Sequence, residues 1–574
     1  MEKKVLLAIT LSFLVLAGYQ YVVVRPAAIR QAAAKAAAQQ AAAAQAPAPG
    51  TSQGSTPSTP AAIGQAAPTP APAVPQVEAL VTDAHERDIV VETDLVRAVF
   101  STRGAVLTHW ELKKYLDGRG SPIDVIPPQK PGSSEAGFAV ASDNEAVAAR
   151  INGALFKPSV DGLRLGSSPG SVSFEFRDAG GLAVTKRFDF AKGGSPYVVN
   201  VSIDASLNGA AVPLSVWSGP GLGEVERATT GTFLSPSYYQ APEGIVHRDG
   251  KVARLSAANL GGEALQQGAI RYAGADDHYF LMAILPAEGA TTRLDYKVVP
   301  FETPLGPRAL VAFRMLLDRP WNDVRFFFGP KQFDDLVKVD REMVRAINFG
   351  MFDFLVVPLL RSLNWLNGFI GNYGWSIIAL TILINLIMWP LRHKSMVSMR
   401  KMQEIQPIVK SIQDRYAHLK MTDPGKQKMN EEMMRLYKEK GVNPASGCVP
   451  MLLTFPVLFA FYAMLSQAIE LRAAPFAGWI HDLSVKDPLF ITPILMGITM
   501  IWQQKMTPSS MDPAQAKIMM FMPVMFTFMF LWAPSGLVIY WFCSNLFAIG
   551  QQYMTNRMIG PPPGSISRPM ATKA

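Results

Sequence analysis

Asp276-Asp277-His278 sets two carboxylates beside an imidazole, a combination that could relay a proton or bind a cation. No partner motif accompanies it, so a hydrogen-bonded strand end is the favoured reading. Gly219-Pro220-Gly221-Leu222-Gly223 has the glycines of a phosphate loop but no helix pattern after it. The sequence has no Walker motif, no His-Glu-x-x-His and no nucleophile elbow. Cys448 and Cys543 are its two cysteines, and both lie inside apolar runs. That leaves no disulfide framework and no four-ligand zinc site. No metal or other cofactor is expected, and the chain reads as non-enzymatic. A second polar set is more telling. Thr381, Asn385, Thr454, Thr499, Thr527, Ser544 and Asn545 interrupt long apolar runs. In hydrocarbon such groups bond between helices or line a wet path. Ionisable residues are missing from the middle of these runs, which argues against an ion-coupled transporter.

The elements that must hold those residues follow from hydropathy. Of the 574 residues 49% are hydrophobic, and the net charge is +9. Val5–Val24 is apolar, preceded by Lys3 and Lys4 and followed by Arg25-Pro26. Its length, roughly 30 Å as a helix, fits a retained anchor over residues 1–25 better than the shorter core of a cleaved signal. Residues 26–83 are rich in Ala and Pro, with too few large apolar side chains to offset ordering entropy, and read as a linker. From 84 to 330 short alternating stretches such as Val172-Ser173-Phe174-Glu175-Phe176 predict an all-β sandwich of two packed sheets. Trp217 and Trp321 are expected in its core.

Residues 331–372 read as a connection containing an interfacial amphipathic helix at Ile347–Leu360, which is short for a span and carries Asn348 and Asp353. Residues 373–553 predict a five-span core, with spans at Trp375–Leu391, Cys448–Leu465, Leu489–Trp502, Ile518–Trp532 and Leu537 to about Tyr553. Between its first two spans, residues 392–441 predict a basic helical hairpin, turning at Asp423-Pro424-Gly425. Pro407 is expected to kink its first arm or mark its edge. Basic loops stay cytoplasmic, so the hairpin, the tail 554–574 and both termini are assigned inside and the β domain outside. The fold class is thus a polytopic α-helical membrane protein with six spans and a large β-sandwich. The charge follows membrane orientation, so no nucleic-acid site is required. Two spans are unusually short, which implies thinned lipid or wetted flanks. Of 27 methionines, 23 lie between Met343 and Met558. Met519, Met520, Met522, Met525 and Met529 crowd one span and suit a pliable, substrate-facing surface.

Several stretches resemble the bacterial YidC membrane protein insertases. They are Gly371-Asn372-Tyr373-Gly374-Trp375-Ser376, Met388-Trp389-Pro390-Leu391, Gly441-Val442-Asn443-Pro444, Pro456-Val457-Leu458-Phe459 and Pro534-Ser535-Gly536-Leu537-Val538-Ile539-Tyr540-Trp541. The resemblance implies a periplasmic β-sandwich of the sugar-mutarotase type and a hydrophilic groove open to cytoplasm and lipid. It places Thr381, Asn385 and Trp541 in that groove. Asn385 stands where the family typically carries a basic residue, and Trp541 where it carries Tyr; Asn keeps polarity without charge. Asn385→Arg is therefore expected to be tolerated. The implied activity is insertion of nascent membrane proteins into the inner membrane without nucleotide hydrolysis. Accessory chaperoning of a separate translocase is the alternative. The implied partners are the lipid bilayer and, through hairpin and tail, a Sec translocase and the ribosome.

Overall fold

The computed structural model describes residues 77–559 except 118–119, 128–135, 192–194, 220–221, 223–239, 241, 258–259, 261–264, 304–305, 420–422, 442–448 and 507–512; side chains at 302–308, 351, 399, 403, 449–455, 513–519 and 559 are also outside the description. The expected anchor at 1–25, most of the linker and the end of the tail therefore fall outside the described residues.

Strands run from Ala79–Val81 to Trp321–Pro330, close to the expected span of the β domain. The pairing differs from the expectation of two sheets. Strands Gly170–Asp178, Leu182–Phe190 and Val198–Leu207 belong to an 11-stranded sheet that continues through Trp321–Pro330, Phe280–Leu285 and Ile270–Asp276. Among the described residues two further sheets have five strands each. One, built around Val96–Ser101 and Val106–Leu116, packs its aromatic face on the large sheet. Phe100 meets Phe188 at 4.6 Å between ring centroids. Trp110 meets Phe328 at 4.9 Å, and its indole N–H donates to the Phe328 carbonyl at 2.9 Å. The other contains Thr292–Thr303 and Gly306–Leu317. Its Tyr296 hydroxyl reaches the Ile245 and Gly274 carbonyls of the large sheet at 2.6 and 3.2 Å. Alternation along each strand supplies the inward faces. Which strand pairs with which is a matter of long-range register.

Among the described residues the helices are α1 (Glu145–Gly153), α2 (Phe333–Val339), α3 (Asp353–Ile370), α4 (Tyr373–Arg415), α5 (Gly425–Glu439), α6 (Val449–Gln467), α7 (Ile491–Met506), α8 (Pro513–Phe530) and α9 (Ser535–Ile559). The helix expected at Ile347–Leu360 is displaced. Residues Arg341–Ala346 and Gly350–Phe352 form 3-10 turns, and α3 then runs ten residues past Leu360. It ends on Gly371 at φ +70°, the left-handed geometry that glycine adopts without strain. Asn372 then caps α4 by accepting from the Trp375 N–H at 3.2 Å. Helix α4 does not stop at Leu391. It continues for 43 residues, with Pro390 and Pro407 inside it. The expected hairpin is therefore the lower part of α4 followed by α5. Arg415 and Glu432 join the two arms at 3.1 Å.

The β domain is tied to the helices by polar contacts. The His278 Nε2–H donates to the Ser466 carbonyl in α6 at 2.6 Å, and its Nδ1 accepts from the Gln240 N–H at 3.3 Å. Arg472 donates to the Leu116 carbonyl at 2.8 Å and lies over the Phe280 ring.

Candidate functional site

The Asp276-Asp277-His278 stretch behaves as a strand end. Asp277 accepts from the Tyr279 and Phe280 N–H groups at 2.8 and 2.7 Å, and Asp276 pairs with Lys331 at 3.1 Å. Asp277 is satisfied in this way, whereas among the described residues the Asp276 Oδ1 is buried without a hydrogen-bond partner. Trp321 is buried as expected, its indole N–H donating to the Leu214 carbonyl at 2.9 Å. Trp217 is also buried.

The polar residues of α4 form a thread along one helical face. Steps of four and seven residues return to the same side of a helix with 3.6 residues per turn. Thr381 donates to the Ile377 carbonyl at 2.6 Å, and the Asn385 amide donates to the Thr381 carbonyl at 2.8 Å. The Asn385 carbonyl oxygen accepts from Arg392 Nη1 at 2.7 Å. Thr381 and Asn385 are only 1% and 4% exposed, so in this conformation their polarity faces helix and guanidinium. The thread continues toward α9. Gln551 donates to the Trp389 carbonyl at 3.3 Å, His393 and Thr555 lie 3.3 Å apart, and Arg400 donates to Asn556 at 2.7 Å. Asn545 reaches Thr499 of α7 at 3.3 Å. Thr527 donates to the Pro523 carbonyl within α8 at 2.7 Å.

Trp541, the third residue expected in the groove, sits in a separate cluster. Its ring meets Phe526 at 5.8 Å and Phe530 at 5.0 Å, both on α8. Its neighbour Tyr540 is buried, stacks on Phe461 at 4.3 Å and lies within electrostatic reach of Arg392. Sequence reasoning missed Arg392 and Tyr540 as site residues. Arg392 follows an apolar run and reads as a loop charge. The available signal was its seven-residue spacing from Asn385.

The methionine expectation divides. Met520, Met525 and Met529 are exposed, along with Phe521, Val524 and Phe528. Met522 is half-buried, and the Met519 side chain is outside the described residues. Four-residue steps such as 520, 524 and 528 put this exposure on one stripe of α8. Ile494, Ile498 and Trp502 give α7 a similar apolar face. Exposed apolar stripes of this size would be unstable in water and are at home against lipid or another apolar segment.

Apolar helices that keep these polar side chains inward and leave apolar stripes outward, joined to a large β domain, fit an integral membrane protein. Residues 88–362 match the family described as YidC periplasmic domain, and residues 365–561 match 60Kd inner membrane protein. The protein named membrane protein insertase YidC of Geobacter metallireducens is 35% identical, covering 97% of this chain and 99% of the relative. That of Geobacter sulfurreducens is 37% identical over 82% of this chain and 86% of the relative. A crystal structure described as an active YidC insertase with its first transmembrane domain resolved is 19% identical, with a TM-score of 0.33, over 83% of this chain and 95% of that one. The chain belongs to the YidC membrane protein insertase family, whose members are non-enzymatic. Its β-sheet domain is the family's periplasmic domain, and its helical region is the inner-membrane domain.

Proposed function

We propose that this chain moves transmembrane segments of nascent membrane proteins from the cytoplasm into the inner membrane, without nucleotide hydrolysis. The observation that carries this reading is the polar thread Thr381–Asn385–Arg392 on an otherwise apolar helix. A charged group at the bilayer centre costs about 2.5–3.5 kcal/mol on insertion scales. A client's hydrophilic end that exchanges hydrogen bonds with this thread avoids part of that cost. Its apolar segment supplies the drive, roughly 0.3–0.6 kcal/mol for each Leu, Ile, Val or Phe. The client opens the thread by displacing the contacts that cover it, while its apolar segment rests on the stripe of Met520, Met525 and Met529.

This function fits six spans with both termini cytoplasmic and the β domain periplasmic. The layout is an anchor at 1–25, a linker at 26–83, the β domain at 84–330, an interfacial helix within 331–372 and a five-span core at 373–553. Helices α7 and α8 have 16 and 18 residues. At about 1.5 Å per residue they reach only about 24 and 27 Å, which thins the local bilayer. The exposed basic arms of α4 and α5, with the tail, are docking surfaces for a Sec translocase or ribosome. The test is reconstitution of the purified chain in liposomes with a short single-span client. Insertion well above empty liposomes is expected. No insertion defeats the proposal, and insertion only with an added translocase favours an accessory chaperone.

A further inference from the structure

The lower half of α4 is fastened to the end of α9 by side chains. Trp389, His393 and Arg400 follow steps of four and seven residues and so share one face of α4. Gln551 and Thr555 are four apart on α9, with Gln552 and Asn556 beside them. The pairs advance together along the two helices. The Trp389 ring meets Phe547 at 5.8 Å, and Gln551 donates to the Trp389 carbonyl at 3.3 Å. His393 and Thr555 lie 3.3 Å apart. Arg400 and Gln552 both donate to the Asn556 side-chain oxygen, at 2.7 and 3.1 Å. Ser395, Arg400, Gln551, Gln552 and Thr555 are buried in this seam.

Three features make the seam releasable. Its bonds join polar side chains whose partners can be replaced by water or a peptide, and each neutral bond is worth a factor of about two to ten. The Gln551 Oε1 is buried, and among the described residues no donor reaches it, so opening the seam gives it one. Pro390 and Pro407 bracket the fastened stretch of α4. Neither can donate to the carbonyl four residues before it, so the stretch between them can tilt without breaking further backbone bonds. We infer that the seam is a latch, which holds the base of the hairpin against α9 at rest and opens when a client inserts. This rests on the insertase reading and adds to it the step that admits the client.

The experiment uses the full chain in liposomes, with Cys448→Ser and Cys543→Ser, and a short single-span client. His393→Cys with Thr555→Cys is linked by a short bis-methanethiosulfonate. Linking should slow insertion about tenfold or more, and reduction with dithiothreitol should return the unlinked rate. In the same background Ser395→Cys reports opening without reference to activity. Its thiol, buried at rest, should react with a water-soluble maleimide about tenfold faster when the client is present. The latch falls, and the insertase reading stands, on any of three results: the linked pair inserts as fast as the unlinked pair, the reagent slows either single-cysteine variant as much as the pair, or the Ser395→Cys thiol reacts at one rate with and without a client that inserts. If the wild-type chain inserts no client, both fall.

Discussion

His278 donates to α6 and, while its imidazole is neutral, also accepts a backbone N–H inside the β domain. Its Nε2–H donates to the Ser466 carbonyl and its Nδ1 accepts from the Gln240 N–H. A second proton would face that N–H with no lone pair to receive it. Burial, with the charge of Lys331 nearby, pushes the imidazole down to about 4 from an ordinary 6.5. The folded value lies below the ordinary one. The stabilisation is therefore complete above about pH 6.5 and is lost as pH falls through about 4. Its full extent is roughly 3 kcal/mol, of which roughly 2 kcal/mol is gone at pH 5. The assay is hydrogen exchange in nanodiscs at pH 7.5 and 5, corrected for intrinsic rates, read at 270–285 and at the C-terminal turn of α6. Local opening should be roughly 30-fold more frequent at pH 5. His278→Gln keeps one donor and one acceptor and cannot charge, so it should show no such step. Equal protection of wild type at both pH values, or the same acid loss in His278→Gln, would refute the reasoning.

Two further outcomes concern the β domain. Gly274 lies in Ile270–Asp276, where an added Cβ would stand 1.8 Å from the Met282 carbonyl oxygen of the paired strand. Backbone cannot yield there without breaking register, so Gly274→Ala should cost on the order of 3 kcal/mol or more and lower the thermal midpoint of the full chain. Lys186 is fully buried and donates to the Gly104 and Phe138 carbonyls at 2.6 and 2.8 Å; burial pushes its ammonium down to about 7. The wild-type midpoint should rise with pH from about 7 toward 10, whereas Lys186→Met should remove that part of the pH dependence.

Much of this architecture was legible in the residues. Alternation between Val172 and Phe176 gives a strand whose Val172 and Phe174 are fully buried. The reading of Asp276-Asp277-His278 as a strand end holds, because Asp277 accepts from the backbone N–H groups just after it. The partner of His278 was not legible, since Ser466 lies 188 residues further along the chain. The division into three sheets was hidden for the same reason: periodicity reports which face is inward and says nothing of the neighbouring strand. Between Ile347 and Leu360 the apolar pattern could not show the 3-10 turns that delay α3 to Asp353. Thr381 and Asn385 were readable as one face from their spacing. Trp541 was not, because side-chain direction decides between Phe530 and the α4 thread. Arg392 escaped notice because hydropathy marks where an apolar run stops, not where the helix stops.

Pro390 falls between Asn385 and Arg392 on α4. Proline removes the backbone donor that would otherwise bond to Leu386, and helices bend most readily at such a gap. The side-chain bond across it works as a splint, holding the two halves of the rod in line. Without that bond the rod would bend more easily at Pro390, where the backbone has no bond of its own to resist.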